Sequence, residues 1–274
     1  MPELPEVKVV VLALNKYIIN KKIKNLIIYK SKLFKELEPN EFIDKLKNKT
    51  IKEITNRGKH IIIKLSDNIV LLSHLRMEGK YRFFDKPSAN NPHIIAKFVF
   101  DDNSELQYLD SRMFGTFHLR NWNNYDKILP ISKIANEPSK INVELLFNEL
   151  KKSSSPIKTK LLDQELVSGI GNIYVDEALF KAKIHPSTPA KSISIDELTN
   201  IINFVNTIME DSFKKGGTTL FSYESLNRQI GAYQNFLQIH SDNITSCKVC
   251  GNKTRKIKVN NRGTYFCPFC QKLK

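Results

Sequence analysis

The last 28 residues hold all four cysteines of the chain, as Cys247-x2-Cys250, sixteen intervening residues, and Cys267-x2-Cys270. That spacing lets two short knuckles present four thiolates tetrahedrally to one Zn²⁺. Four protein ligands leave no coordination position for a reactive water, so the ion expected here is structural. Between the pairs, Lys256 to Val259 and Thr264 to Phe266 read as two strand-like segments around Asn260, Asn261, Arg262 and Gly263. The reading is a β-hairpin with Arg262 near its tip. Taken alone, the spacing favours a solvated turn residue for Arg262.

The opposite end offers different chemistry. A small residue after Met1 favours removal of the initiator, which would leave the secondary amine of Pro2 as the amino terminus. An unprotonated amine can attack an electrophilic carbon to form an iminium, an electron sink for neighbouring C–H bonds. Glu3 stands one residue away for proton transfer. The same residues also make a good helix start, because Pro has no N–H to satisfy and Glu suits the positive end of the helix dipole. In Gly169-Ile170-Gly171-Asn172, glycines at a helix start would let backbone amides approach a phosphate, although glycine turns are common.

These residues must be positioned by elements that the patterning reveals. Val7, Val10, Val11, Leu14 and Ile18 recur at helical spacing, so a helix begins almost at the amino terminus. From Ile23 to Arg120 the texture turns to short β-rich runs, among them Ile61 to Leu65, Ile69 to Leu75, Ile94 to Phe100 and Leu106 to Leu109. That is a β-sandwich or barrel pattern. After a Pro-bearing connector at Leu129 to Pro138, the segments Val143 to Leu150, Leu161 to Val167, Tyr174 to Phe180 and Leu198 to Phe213 read as helices. Residues Gly216 to Gln234 show no periodicity, and a loop of that length within a compact domain is usually functional or disordered. The expected class is multi-domain α+β: a β-sandwich with a leading helix at 1–130, a helical domain at 131–239 and a zinc finger at 240–274.

The formal charge of +15, from 43 Lys and Arg against 28 Asp and Glu, makes a polyanion the first partner to consider. The excess is local: residues 1–130 carry 23 basic and 15 acidic side chains, residues 131–239 twelve of each, and residues 240–274 eight against one. No run approaches the roughly 20 apolar residues of a membrane span, and no targeting segment is visible. Cysteines reserved for metal point to a reducing compartment, so a cytoplasmic, nucleoid-associated protein is expected.

The opening MPELPEV at 1–7 resembles that of formamidopyrimidine-DNA glycosylases, and the resemblance continues through RGKH at 57–60, SHLRMEGKYR at 73–82, DSRMFG at 110–115, SGIGNIYVDEALFKAKIHP at 168–186, GGTT at 216–219 and NRGTYFCPFCQK at 261–272. Agreement in order over separate segments is highly specific. The resemblance implies a β-sandwich, a helix–two-turn–helix domain and a zinc-bound hairpin finger, with damaged double-stranded DNA held in the cleft between domains by a monomer. It implies a bifunctional enzyme that removes 8-oxoguanine and formamidopyrimidines and cleaves the abasic strand by β,δ-elimination.

It also implies roles. Pro2 is the nucleophile at the sugar C1′, Glu3 the proton donor that opens the ribose, Lys59 the donor for β-elimination and Arg262 that for δ-elimination. Glu3 needs burial to carry a proton at neutral pH. Glu6 stands near the extruded lesion, and residues 216–233 match a mobile loop that covers it. A base acted on by an enzyme must leave the stack, and the gap must be filled. Met77, Arg112 and Phe114 match the inserting triad, although Met77 and Phe114 alone would read as strand packing. His93, Lys158 and Asn172 match or suit DNA-backbone contacts. Some positions depart from the family: Lys8 replaces a frequent glutamate, Met113 a basic residue, Ser153 to Ser155 a basic stretch, and Ile239-His240-Ser241-Asp242 the usual Val-Tyr-Gly-Arg. None touches Pro2, Glu3, Lys59 or Arg262, so the chemistry is expected to persist. An endonuclease VIII-like enzyme for oxidised pyrimidines, a silent damage binder and a zinc-finger transcription factor are the competing readings. The Met77, Arg112, Phe114 set, the Leu4 form of the opening and the joint presence of Pro2, Glu3 and Lys59 weigh against them.

Overall fold

A computed structural model of the chain describes residues 2–88, 91–218 and 231–274. It divides into two compact units, 1–132 with 216–231 and 133–215 with 232–274.

The first unit opens with helix α1 (Leu4–Ile18), which buries Val7, Val10, Leu14 and Ile18 along one stripe, as the 3.6-residue period requires. Two four-stranded antiparallel sheets follow. One has the order β1 (Ile23–Ile28), β6 (Ile94–Phe100), β7 (Glu105–Leu109) and β5 (Lys80–Phe84); the other runs β2 (Ile51–Arg57), β3 (His60–Leu65), β4 (Ile69–His74) and β8 (Thr116–Asn121). Their inner faces share one core with α1: Leu26, Phe98, Leu106 and Tyr81 come from the first sheet, Ile54, Ile63, Leu71 and Phe117 from the second. β3 and β4 are apolar on both faces because the outer face is covered too, Ile62, Val70 and Leu72 packing under Ile131 and Tyr125. Helix α2 (Pro39–Leu46), with Phe42 and Leu46 buried, interrupts the run expected to be wholly β-rich. Its Pro39 occupies the first turn, where a missing N–H costs nothing.

The second unit holds α3 (Val143–Lys151), α4 (Ile157–Leu161), α5 (Asn172–Lys181), α6 (Ile195–Lys214) and the hairpin β9 (Arg255–Val259) with β10 (Arg262–Phe266). α5 is buried almost all round, between α6 and β10. Ser194 and Glu197 form a capping box at the start of α6, and Asn142 caps α3. The helix expected at Leu161 to Val167 does not form: α4 ends at Leu161 and turns follow. The Gln164 side chain serves those turns, donating to the carbonyls of Leu162 and Ile170 and accepting from Gly169 N–H at 2.9 Å. A side chain that satisfies loop backbone in this way removes the pressure to continue a helix.

Candidate active site and zinc centre

Pro2 and Glu3 precede α1 and are both buried, Glu3 at 2% exposure. The Glu6 carboxylate turns back to accept from Glu3 N–H at 2.9 Å, which fixes the direction in which the chain enters the helix. Its other oxygen accepts from Thr218 N–H at 2.8 Å. Gly217, at φ +85°, is glycine because a Cβ there would sit 3.0 Å from that oxygen in a strained backbone. Glu6 therefore organises both the amino terminus and the start of the segment after α6, a role that the spacing of charges did not reveal. Residues 219–230, most of the expected lesion-covering loop, lie outside the described residues.

Lys59 lies in the β2–β3 turn after Gly58, which has φ +52°, and is 7% exposed. Beside it His60 and His74 meet edge to face, with ring centroids 4.5 Å apart. Burial, then the Arg76 and His118 charges, push His60 down to about 3. His74 is pushed well down by burial and then by His60, Arg76, Lys59 and His118. His74 Nδ1 accepts from Arg76 N–H at 3.0 Å, which holds Arg76 at φ +55° just before Met77. An unfolded histidine titrates near 6.5, so between that pH and about 3 the unfolded chain binds more protons. Stability is thus full above about pH 6.5 and is lost on acidification, at up to ~1.4 kcal/mol per pH unit for each histidine. Denaturant titrations followed through Trp122, the single tryptophan, are expected to show this slope between pH 6.5 and 5. His60→Phe should flatten it by one histidine's share; an unchanged slope would assign it to other groups.

Met77 and Phe114 project from two turns that share an anchor. A Cβ on Gly79 or Gly115 would lie 2.1 or 1.9 Å from the Tyr108 hydroxyl, so both turns close directly onto that buried ring. Asp110, 2% exposed, shapes the second turn: Oδ1 accepts from the N–H groups of Arg112 and Met113 at 3.0 Å each, and Oδ2 from those of Phe114 and Gly115 at 2.9 and 2.8 Å. Arg112 and Phe114 are left exposed, the guanidinium 4.9 Å from the ring centroid. Met77 and His93 are exposed as well, the latter's carbonyl accepting from Asp110 N–H at 3.1 Å. Hydrogen bonds to a charged acceptor contribute about 1.5–3 kcal/mol each. Asp110→Ala is expected to unprotect the four amides of residues 112–115 in hydrogen exchange and to cost on the order of 3 kcal/mol or more of stability. Retained protection would mean that Tyr108 alone holds the turn.

The second unit brings Asn172, Lys158 and Arg262 to one hairpin. Asn172 Nδ2 donates to the Gly263 carbonyl at 2.9 Å from the first residue of α5. Arg262 is exposed and opens β10, paired with Val259 across Asn260 and Asn261, whose φ values of 45° and 59° suit a type I′ turn. Lys158 departs from the surface phosphate contact that was expected. It has no exposed surface, and its Nζ lies 2.7 Å from Asp176 Oδ1, so its charge is spent inside the unit.

The cysteines meet the requirement for zinc. Their four Sγ atoms lie within 4.8 Å of one another, with Cys247–Cys270 at 3.8 Å and Cys250–Cys267 at 3.6 Å. Thiolates 2.3 Å from a tetrahedral Zn²⁺ stand about 3.8 Å apart. Backbone N–H groups of Val249 and Cys270 point at Cys247 and Cys267 Sγ, as knuckles around thiolates do. Cys247 and Cys267 pack on Phe180 of α5 and on Ile239, so the site of the one structural Zn²⁺ is seated on the core of this unit.

Comparison with known proteins matches residues 1–117 to the formamidopyrimidine-DNA glycosylase N-terminal domain, 134–223 to the H2TH domain of the same enzymes, and 247–273 to the zinc finger found in FPG and IleRS. Formamidopyrimidine-DNA glycosylase of Mycoplasmopsis pulmonis is 50% identical over 100% of this chain and 99% of its own length, and that of Lactobacillus johnsonii 41% identical over 100% and 99%. A Lactococcus lactis FPG mutant, solved in complex with DNA containing Fapy-dG, is 36% identical with a TM-score of 0.93, over 99% of this chain and 100% of that one. The Lactococcus lactis protein with abasic-site DNA gives a TM-score of 0.91 at 35% identity, over 98% and 99%. With domain matches in chain order and relatives this similar from end to end, the chain belongs to the formamidopyrimidine-DNA glycosylase family.

Proposed function

We propose that this protein is a bifunctional DNA glycosylase and abasic-site lyase that removes 8-oxoguanine and formamidopyrimidines from duplex DNA and then cuts the strand by β,δ-elimination. The observation that carries the reading is end-to-end similarity to a protein solved on DNA containing Fapy-dG. Pro2, freed of Met1, attacks C1′ of the damaged nucleoside, and the buried Glu3 donates the proton that opens the sugar. The iminium acidifies the C2′ proton, Lys59 serves β-elimination, and Arg262 serves δ-elimination from the hairpin tip. Glu6 stands by the extruded base. Phe114 wedges into the stack, Met77 fills the void and Arg112 hydrogen-bonds the orphaned partner base, filling that offsets a few kcal/mol of unstacking. His93 and Asn172 contact phosphates, and the zinc ion holds the finger without entering the chemistry. The division of labour follows residues 1–130, 131–239 and 240–274, in a monomer of the cytoplasm and nucleoid. Among the described residues no helix is long and apolar enough to cross a membrane.

The test is excision from duplexes carrying 8-oxoguanine, Fapy-dG or an oxidised pyrimidine such as thymine glycol. Rapid release of the purine lesions, ending in a one-nucleotide gap with phosphates on both sides, is the expected result. Preference for the pyrimidine would move the chain to the endonuclease VIII-like reading. The net charge of +15 adds a second expectation, that log affinity falls linearly with log salt by roughly 0.9 per phosphate neutralised. A flat response would remove the electrostatic part of the proposal.

A further inference from the structure

Asp176, in the middle of α5, has no exposed side chain yet carries three polar contacts. Its Oδ1 lies 2.7 Å from Lys158 Nζ of α4; its Oδ2 accepts from Tyr265 N–H at 3.1 Å and lies 2.7 Å from His240 Nδ1. Lys158 Nζ in turn donates to Thr264 Oγ1 at 2.8 Å, with the Gly263 carbonyl at 3.3 Å. This run of one ion pair and successive hydrogen bonds ends on the proposed δ-elimination residue itself, because Thr264 Oγ1 donates to the Arg262 carbonyl at 2.9 Å. The three residues that follow Arg262 are therefore each tied by a polar bond to the helices.

A buried ion pair is costly to desolvate and contributes little stability against an apolar alternative, so its best-attested value is in specifying one arrangement. The hairpin needs that. Two strands alone are marginal in water, and the zinc ligand nearest along β10 is Cys267. Five residues at about 3.3 Å each put it roughly 16 Å from Arg262. The metal can hold the base of the hairpin, but it is too far along the strand to aim the tip.

We propose that Asp176, Lys158 and Thr264 form a relay that fixes the direction of Arg262, with Thr264 the positioning residue for δ-elimination; this rests on the role proposed for Arg262 above. His240 completes the relay by closing the second oxygen of Asp176, in a position where the family usually has tyrosine, and its ring stacks edge-on against Tyr265 at 4.8 Å.

The experiment uses zinc-loaded full-length protein on a duplex with a preformed abasic site. Thr264→Val keeps the shape and removes the hydroxyl; Thr264→Ser keeps the hydroxyl. Thr264→Val is expected to raise the ratio of β- to δ-elimination product by roughly tenfold or more, since misplacement of a reacting group by an ångström is costly. Zinc content and borohydride trapping should stay within about twofold, because neither requires an aimed Arg262. Amides of residues 262–265 should exchange faster, and Thr264→Ser should restore the wild-type ratio. Asp176→Asn should shift the ratio the same way. A wild-type product ratio in Thr264→Val, or a loss of trapping as large as the loss of δ-product, overturns the proposal. If wild-type protein forms no trapped adduct, it is the proposed activity that fails. The relay is then judged by exchange alone, and unchanged exchange in Thr264→Val overturns it.

Discussion

Borohydride added during reaction with a duplex containing a damaged purine is expected to yield a covalent protein–DNA adduct from protein that has lost Met1, and none from protein that retains it. With Met1 attached, the Pro2 nitrogen is an amide whose lone pair is delocalised, so it cannot attack C1′. Free, it is a secondary amine held at the mouth of α1, where the Glu6 hydrogen bond to Glu3 N–H fixes its approach. Attack joins the Pro2 nitrogen to C1′ as the base departs, and the iminium that forms on ring opening is what borohydride reduces. Pro2→Gly keeps an amine but makes it primary and frees its backbone, so trapping should fall without vanishing. Glu3→Gln keeps the shape of the site and removes its proton donor. General acid catalysis typically contributes 10² to 10⁴ in rate, and base excision should fall by about that much while preformed abasic sites are still cleaved in part. Peptide mapping that places the DNA on Lys59, or normal excision by Met1-blocked protein, would end the mechanism.

Removing zinc is the second large perturbation. Four thiolates at 3.6–4.8 Å spacing around no cation repel one another once ionised, and free energy of binding at a structural site, about 10–16 kcal/mol in small fingers, is folding free energy. Chelation or Cys247→Ser is therefore expected to disorder β9 and β10, to release Cys247 and Cys267 from Phe180 and Ile239, and to abolish DNA binding and strand cleavage. The first unit has its own core and should keep its Trp122 emission and its unfolding transition. Complete β,δ-cleavage by metal-free protein would contradict this account, and loss of the Trp122 transition would show that the two units fold as one.

The order of the architecture was legible along the chain because local patterns carry it. The stripe of Val7, Val10, Leu14 and Ile18 announces α1, the apolar runs announce β3, β4, β6 and β7, and cysteine spacing announces the zinc site and its hairpin, since ligand geometry leaves few alternatives. α2 was hidden by its short length, although Pro39 marks its start. The segment 161–167 misled because apolar residues there face a core from turns, with Gln164 satisfying backbone that a helix would have satisfied itself.

The residue types ready for chemistry could be read along the chain: the Pro2 and Glu3 opening, an arginine beside a hairpin turn and four thiolates in metal spacing. What holds them emerges from folding alone. Glu6 caps α1 and reaches Thr218, 212 residues away; Asp110 gathers four amides; Gly79 and Gly115 close on one Tyr108. Lys158 leaves the surface for Asp176. One cause underlies all of these. A carboxylate, an ammonium group or a glycine carries no sign in the chain of whether it will face water or a partner, because that depends on burial. Burial brings together residues distant in sequence and makes each unpaired charge costly enough to dictate its neighbours.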